Sequence, residues 1–391
     1  MEKEFIDFLI KKFKNGITIQ YIKAKTDYVS VCLTAKAGDS YDPNDKIGLT
    51  HLYEHVFVSM LENLHNYNDY IEKLGFYQNA DTSNTLMNVY FETYRNMIPN
   101  VLLGIKKLIE NFSIIGKVFN VEKEAVKNEV SKRNLEYDEL IENYVSKLFL
   151  LERNRRVQTI KTISKINITD LLRFHSFIFS KDNVTFTIYG KLSKKLEREV
   201  NEIISSISLP ERKELENYKN YTKPLRFNKR NVGIIVFRVP KPNFKDYLSE
   251  QIYKNIMTRF DDSLLYKFIR EEEKATYDIT YDAIDGINER LFYFYFIGNP
   301  KNVKDVKKKI DLRNKFFKQT KKLFNLGKRR TIIEFLKSAE TQTNFTEDLA
   351  YYYTTFGVSL DKKSLIKEVE KLKYSYYKKW LKRIYSNMYI E

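Results

Sequence analysis

The stretch Gly48-Leu49-Thr50-His51-Leu52-Tyr53-Glu54-His55-Val56-Phe57-Val58-Ser59-Met60-Leu61 decides how this chain is read. Its apolar residues recur at helical spacing, so the segment is expected to be a helix. On a helix His51 and His55 project from one face, one turn apart. That spacing suits two nitrogen ligands of a tetrahedral zinc. Glu54 lies on the same stripe and can reach a metal-bound water without being a ligand. Zinc would lower the pKa of that water and polarise a carbonyl, leaving Glu54 to carry the proton. The plainer reading is a hydrogen-bonded helical His pair beside a surface Glu. A metal also needs a third ligand, and the other two histidines, His65 and His175, stand in no obvious motif spacing.

Written H-x-x-E-H, the pentapeptide is the inverted form of the H-E-x-x-H zinc-protease motif. Outward from it the composition sets bounds. A chain of 391 residues has room for two or three domains with proper cores. With 12 Gly and 7 Pro, breakers are scarce, so long regular elements are expected. No apolar run reaches the length of a membrane span. Acidic residues interrupt the short apolar patch at the N-terminus (M-E-K-E-F-I-D-F-L-I-K-K), so it does not read as a signal peptide. A single cysteine, Cys32, rules out an intrachain disulfide framework, and a cytoplasmic location is the simplest expectation. The net charge of +17 could mark a nucleic-acid binder. The basic residues are spread out, however, with one concentration from Lys301 to Arg330 and no nucleic-acid signature, so a Lys-rich solvated surface is preferred and no nucleic acid is expected.

Alternating residues predict strands over 15–25 and 28–37, and another over 87–94. The motif helix is expected from about Ile47 to Leu64. A shorter helical segment follows over 68–74, closed by Gly75 as a C-cap. Residues 76–85 read as irregular. Helices are expected over 97–112 and 120–147, then 168–179 and 192–206 around a strand at 184–189. On the second of these helices Glu122, Glu129 and Glu136 recur every seven residues, hence on one face. A solvated acidic stripe is the bland account of them. The polar stretch from Leu209 to about Leu225 marks a boundary, giving domains over 1–212 and 213–391. The second half repeats the first in outline: strands at 233–239, 276–283 and 291–297, and helices at 246–259, 261–273, 302–325, 328–343, 345–355 and 373–386. The fold class is therefore α+β, two similar domains, each a mostly antiparallel sheet covered by several helices.

Four blocks carry a resemblance to a known family: A-G-D-S-Y-D-P-N-D-K-I-G-L-T-H-L-Y-E-H, L-G-F-Y-Q-N-A-D-T-S-N-T, V-E-K-E-A-V-K-N-E-V and D-D-S-L-L-Y-K-F-I-R-E-E-E-K-A-T-Y-D-I. Together they resemble the insulinase/pitrilysin zinc peptidases, in particular the two-domain subunits typified by mitochondrial processing peptidase and its bacterial relatives. The resemblance spans essentially the whole chain. It departs from the family pattern at Thr50, at Tyr53 and at Val56-Phe57-Val58-Ser59, where a usual glycine is missing.

The resemblance implies the rest of the site. Zinc, one per chain, would be held by His51, His55 and Glu129, with Glu122 in a supporting role that orients a ligating His. Glu54 would be the general base. Asn79 and Ala80 would sit on a sheet edge to which an extended peptide adds as a strand. Arg270 and Tyr277 would hold the substrate and its developing oxyanion. On composition alone these last two read as a surface Arg and a core Tyr. The implied activity is that of a zinc metalloendopeptidase cleaving short or unfolded peptides in a closed chamber, maturing or degrading a specific peptide. Implied partners are the peptide substrate and a second subunit, as a homodimer or as a heterodimer with a related chain. The alternative is a non-catalytic or partner-dependent subunit that binds peptide.

Overall fold

A computed structural model of the chain describes residues 8–64, 67, 69–133, 136–149, 158–212, 231–276, 278–312 and 321–391. The chain groups into two compact units. Unit 1 comprises Met1–Glu139, Arg155–Tyr221 and Ala339–Asp361, and unit 2 comprises Leu140–Asn154, Thr222–Ser338 and Lys362–Glu391. This grouping differs from a linear division at 212/213 by two exchanged segments. Ile141, Tyr144 and Val145 bury themselves with the strands of unit 2, among them Val232, Leu291 and Tyr293. Gln342 donates to the carbonyls of Tyr28 (3.1 Å) and Tyr189 (2.8 Å), which ties the helix it opens to the sheet of unit 1.

The sheet of unit 1 is built from β1 (Phe8–Lys12), β2 (Thr18–Lys23), β3 (Tyr28–Ala35), β4 (Gln78–Thr82), β5 (Met87–Tyr94) and β6 (Val184–Gly190). Its order is β1-β2-β6-β3-β5-β4. Only β2 and β6 run parallel. Among the described residues this half of the sequence has the helices α1 (Leu49–Glu62), α2 (Ile98–Glu110), α3 (Gly116–Arg133), α4 (Tyr137–Phe149), α5 (Ile160–Ser164), α6 (Ile168–Ile178) and α7 (Lys194–Ser205). β3 is buried along nearly its whole length because helices cover both faces of the sheet centre.

Unit 2 has an antiparallel sheet of β7 (Val232–Pro240), β8 (Thr280–Asp285), β9 (Glu289–Ile297) and β10 (Met388–Ile390), ordered β10-β7-β9-β8. Its helices are α8 (Phe244–Met257), a short α9 (Leu264–Tyr266) that continues in a π turn over Lys267–Glu272, α10 (Pro300–Leu312), α11 (Lys321–Ser338), α13 (Lys362–Lys371) and α14 (Tyr374–Tyr385). α12 (Gln342–Phe356) lies between α11 and α13 in sequence and packs on β3, β5 and β6 of unit 1. The units share a design: β3, α1, β4, β5 in one and β7, α8, β8, β9 in the other, each with its third element at the sheet edge. The α+β class with two similar domains describes this architecture.

Several expectations need correction. Residues 76–85 are not irregular, because Gln78–Thr82 pairs antiparallel with β5 as the edge strand β4. Both of its faces are partly exposed, so no clean alternation signals it. The expected helix over 120–147 is two helices, α3 and α4, and Glu136 falls between them rather than on the stripe of Glu122 and Glu129. β1 had no counterpart in the sequence reading. In the second half α11 runs unbroken over Lys321–Ser338, across the break expected between 325 and 328, residues 313–320 of the expected helix 302–325 lie outside the described residues, and the expected helix over 261–273 shortens to α9 and its π turn.

Candidate metal centre

α1 is started by a buried carboxylate. Asp42 accepts from the backbone N–H groups of Gly48 (2.7 Å), Leu49 (3.1 Å) and Thr50 (2.9 Å), and from the Thr50 hydroxyl (2.7 Å). An anion there satisfies the unpaired donors of the first turn and meets the positive end of the helix dipole. Burial and then neighbouring Asp39 push the Asp42 carboxyl up to about 7, with these donors only partly opposing the rise. Gly48 takes φ +98°, a conformation that glycine supplies without strain. The far side of the helix is anchored by Tyr53, whose hydroxyl meets His175 Nδ1 at 2.6 Å. His175 Nε2 in turn contacts the Ile109 carbonyl at 2.8 Å, and its ring stacks on Phe112. Thus Tyr53, a departure from the family pattern, locks the helix to its neighbours.

The opposite face carries His51, Glu54 and His55. The imidazoles stand 4.9 Å apart, edge to face. α3 packs against α1 and brings up Glu129, whose Oε2 lies 3.4 Å from His51 Nε2 and 3.5 Å from His55 Nε2. These three ligand atoms all fall within 4.8 Å of one another. The other oxygen of Glu129 accepts from Arg133, four residues on. His55 Nδ1 faces Glu122 Oε2 at 3.2 Å, and Ser59 donates to Glu122 Oε1 at 2.7 Å. His51 Nδ1 faces Gln158 Oε1 at 2.9 Å. Glu54 is buried and accepts from the Thr82 hydroxyl on β4 at 2.6 Å. A cleft of about 640 Å³ opens over this face. Its lining includes His51, Glu54, His55, Ala80, Glu129 and Arg133.

This donor set fits a divalent cation. A carboxylate can only accept, so His55 Nδ1 must carry the hydrogen toward Glu122, and its Nε2 is left with a lone pair. His51 is arranged the same way by Gln158. Two imidazole lone pairs and a carboxylate oxygen therefore point at one another, which is stable only with a positive charge between them. Without a metal a proton takes that role. Burial lowers the pKa of His55, but Glu129, Glu54 and Glu122 outweigh it and leave it raised. Glu129 is held well below the usual carboxylate range by His51 and then His55, against its burial. Glu54 is raised, chiefly by burial, with Thr82 opposing. A His2Glu set is a known catalytic zinc arrangement that leaves a coordination position for water.

Residues 18–162 match the family described as Insulinase (Peptidase family M16). Residues 165–327 match the one described as Peptidase M16 inactive domain. The chain belongs to the insulinase family. No curated protein gives a significant match to this member of it. Among solved structures, a protease from Helicobacter pylori superposes with TM-score 0.78 at 15% identity over 98% of both chains. A peptidase M16 inactive domain from Pseudomonas fluorescens gives 0.78 at 14% identity, covering 98% of this chain and 97% of that one. Complex III2 from Candida albicans includes a chain similar at TM-score 0.74 and 14% identity, covering 98% and 95%. Identities this low speak to the fold alone.

The insulinase-family chain thus brings His51, Glu54, His55, Glu122 and Glu129 together in unit 1. Asn79 and Ala80 lie on edge strand β4, with Asn79 exposed and donating to the Tyr77 hydroxyl. Arg270 sits in the π turn of unit 2, its guanidinium 4.7 Å from the Tyr266 ring centroid. Tyr277 lies outside the described residues. Sequence reasoning did not single out Thr82, Ser59, Arg133 or Gln158. Arg133 was legible as an i+4 partner of Glu129. Thr82 was quoted within N-A-D-T without a role, and Gln158 carries no local signal. Among the described residues no helix is long and apolar enough to cross a membrane.

Proposed function

We propose that this protein is a zinc-dependent endopeptidase in which His51, His55 and Glu129 hold one zinc ion and Glu54 is the general base. The observation that carries the reading is the convergence of two imidazole nitrogens and a carboxylate oxygen beside a buried glutamate in an open cleft. Bound there, zinc would polarise the scissile carbonyl and acidify the attacking water. Glu54 takes a proton from that water and passes it to the departing amine. Its raised pKa and the Thr82 hydrogen bond suit a base that must hold the proton briefly. Glu122 orients His55, and Arg133 occupies the second oxygen of Glu129.

The peptide adds to the open edge of β4 beside Asn79 and Ala80, where main-chain hydrogen bonds give affinity with little sequence demand. Arg270 and Tyr277 supply donors to the substrate and its oxyanion. A cytoplasmic setting agrees with a lone, buried cysteine. The active form is a homodimer or a heterodimer with a related chain. Light scattering with and without added partner candidates separates these, since a monomer active only with another protein excludes the homodimer. A second reading, a non-catalytic or partner-dependent peptide-binding subunit, draws on the match of residues 165–327 to the domain described as Peptidase M16 inactive domain.

The deciding experiment is incubation with a peptide library, with and without chelator, read by mass spectrometry. Chelator-sensitive cleavage together with about one zinc per chain, lost on His55→Ala, supports the endopeptidase. Peptide binding without any cleavage supports the second reading.

A further inference from the structure

We infer that Gln158, itself oriented by Asp39, is a positioning residue that fixes His51 in the tautomer with hydrogen on Nδ1, so that Nε2 presents its lone pair beside Glu129. The two histidines of the site are supported by different chemistry. His55 leans on an anionic carboxylate, Glu122, at 3.2 Å. His51 leans on a neutral amide, Gln158 Oε1, at 2.9 Å. A carboxylate leaves no choice of tautomer. An amide does, because rotating it by half a turn would aim its N–H at His51 Nδ1 and favour hydrogen on Nε2 instead. A His51 so protonated has no lone pair at Nε2.

Asp39 removes that choice. Its Oδ1 lies 3.1 Å from Gln158 Nε2 and, as a carboxylate, can only accept. The amide nitrogen must therefore face Asp39, and the amide oxygen is left for His51. Both Asp39 and Gln158 are buried, so water does not compete for either contact. Asp39 is fixed in turn by the sheet. Its N–H donates to the Ser83 carbonyl at 3.1 Å, and at preceding Gly38 an added Cβ would fall 2.4 Å from that same oxygen. Gln158 is fixed by the chain after it, where Thr159 opens α5 with a reciprocal capping box. The relay therefore runs from the β4–β5 turn through Asp39 and Gln158 to His51. Its negative charge stands one residue further from the metal position than Glu122 does on the His55 side.

The consequence for metal affinity rests on the proposed zinc site, but the tautomer does not, and the test separates them. In the metal-free full chain with 15N-labelled histidine, long-range 15N–1H spectra should show hydrogen on His51 Nδ1, whether or not Nε2 also shares a proton with Glu129. Gln158→Leu should shift it to a mixture or to Nε2–H. Zinc affinity measured against a competing chelator should fall about 10- to 100-fold, as is typical for loss of a group that orients a ligating His. Thermal unfolding of the metal-free variants reports any structural damage separately. Gln158→Glu alone sets two buried carboxylates face to face and should also weaken zinc. Adding Asp39→Asn to it restores a donor opposite the new acceptor and should recover affinity close to that of the unsubstituted chain. Purely structural roles for these residues predict no such rescue. The inference is overturned if Gln158→Leu keeps the Nδ1–H tautomer, or if the double substitution binds zinc no better than the worse single one. If the unsubstituted chain takes up no zinc, the peptidase reading fails, and the tautomer of His51 still decides this inference.

Discussion

α1 and α8 are the corresponding helices of two similarly built units, and each presents a buried glutamate to a hydroxyl on its edge strand. In unit 1 Thr82 on β4 donates to Glu54. In unit 2 Tyr281 on β8 donates to Glu250. There the likeness ends. Glu250, 1% exposed, is closed off by Arg290, which reaches both its oxygens through Nε (3.1 and 2.9 Å) and Nη2 (2.9 Å). Arg290 also grips Asp285 through Nη1 at 2.6 Å. Every charge in that cluster has an internal partner of opposite sign. Around Glu54 the Thr82 hydroxyl donates and two imidazoles and Glu129 converge, but no guanidinium clamps the carboxylate and the cleft is open. One helix site has been neutralised into structure. The other keeps an unmet demand for a cation and for a proton, which is the condition for chemistry.

The sharpest way to break this contrast is to replace each glutamate by glutamine. Glu54→Gln should lower peptide hydrolysis by about 10²- to 10⁴-fold, the usual worth of a positioned acid–base group. It should leave zinc content and melting temperature unchanged or slightly improved, since a buried carboxylate with a raised pKa is costly to keep ionised. Glu250→Gln should do the reverse, leaving zinc uptake intact while costing about 1.5–3 kcal/mol of stability through the weakened charge-assisted bonds to Arg290, which keeps Asp285. Glu250→Leu with Arg290→Met and Asp285→Asn, which removes all three charges together, should recover most of that loss. Turnover that survives Glu54→Gln, or a Glu250→Gln protein as stable as its parent, would end the distinction.

A smaller effect tests the anchoring of α1. Burial pushes His175 down to about 4, against the backbone bond to Ile109. The unfolded chain holds that imidazole at its ordinary value of about 6.5. Between these values the unfolded state binds the extra proton, so the contribution is complete above pH 6.5 and is lost as pH falls toward 4. The shift corresponds to roughly 3 kcal/mol at the acid end. Denaturant titrations across that window should show this slope, and His175→Phe should flatten it. An unchanged slope in the variant would mean that other groups govern acid sensitivity.

How much of this was visible in the sequence follows from the range of each interaction. His51, Glu54 and His55 are local and periodic, so their spacing alone pointed to two candidate ligands and a candidate base. Glu129 lies on another helix, and only the family pattern connected it. The Asp39–Gln158 and Gln158–His51 contacts join residues 119 and 107 positions apart, with nothing periodic to mark them. β4 was hidden because an edge strand exposed on both faces lacks alternation. Glu136, which stands between α3 and α4, has no Gly or Pro near it in sequence, so nothing there marks an end to the helix. α12 belongs with unit 1 through Gln342 and the packing of Ala350 against Cys32 and Tyr90, long-range contacts that a linear boundary cannot express.

The finest probe is the pair of edge-strand hydroxyls. Thr82→Val removes the one hydrogen bond that lowers the Glu54 carboxyl against its burial, so that pKa should rise further. A general base must be deprotonated to act, so the acid limb of the kcat/KM profile should move to higher pH. A net hydrogen bond to a charged group is worth about 1.5–3 kcal/mol, which sets the upper limit of the change. Stability should barely alter, because Val fills the same volume and Glu54 can take its proton. Tyr281→Phe should give the opposite pattern. Glu250 keeps its Arg290 fork, so the loss is at most that of one hydrogen bond and appears in the melting temperature, with no movement of the pH profile. If both substitutions shifted the profile, or neither did, the two glutamates would not be playing different parts, and the division of labour between α1 and α8 would have to be abandoned.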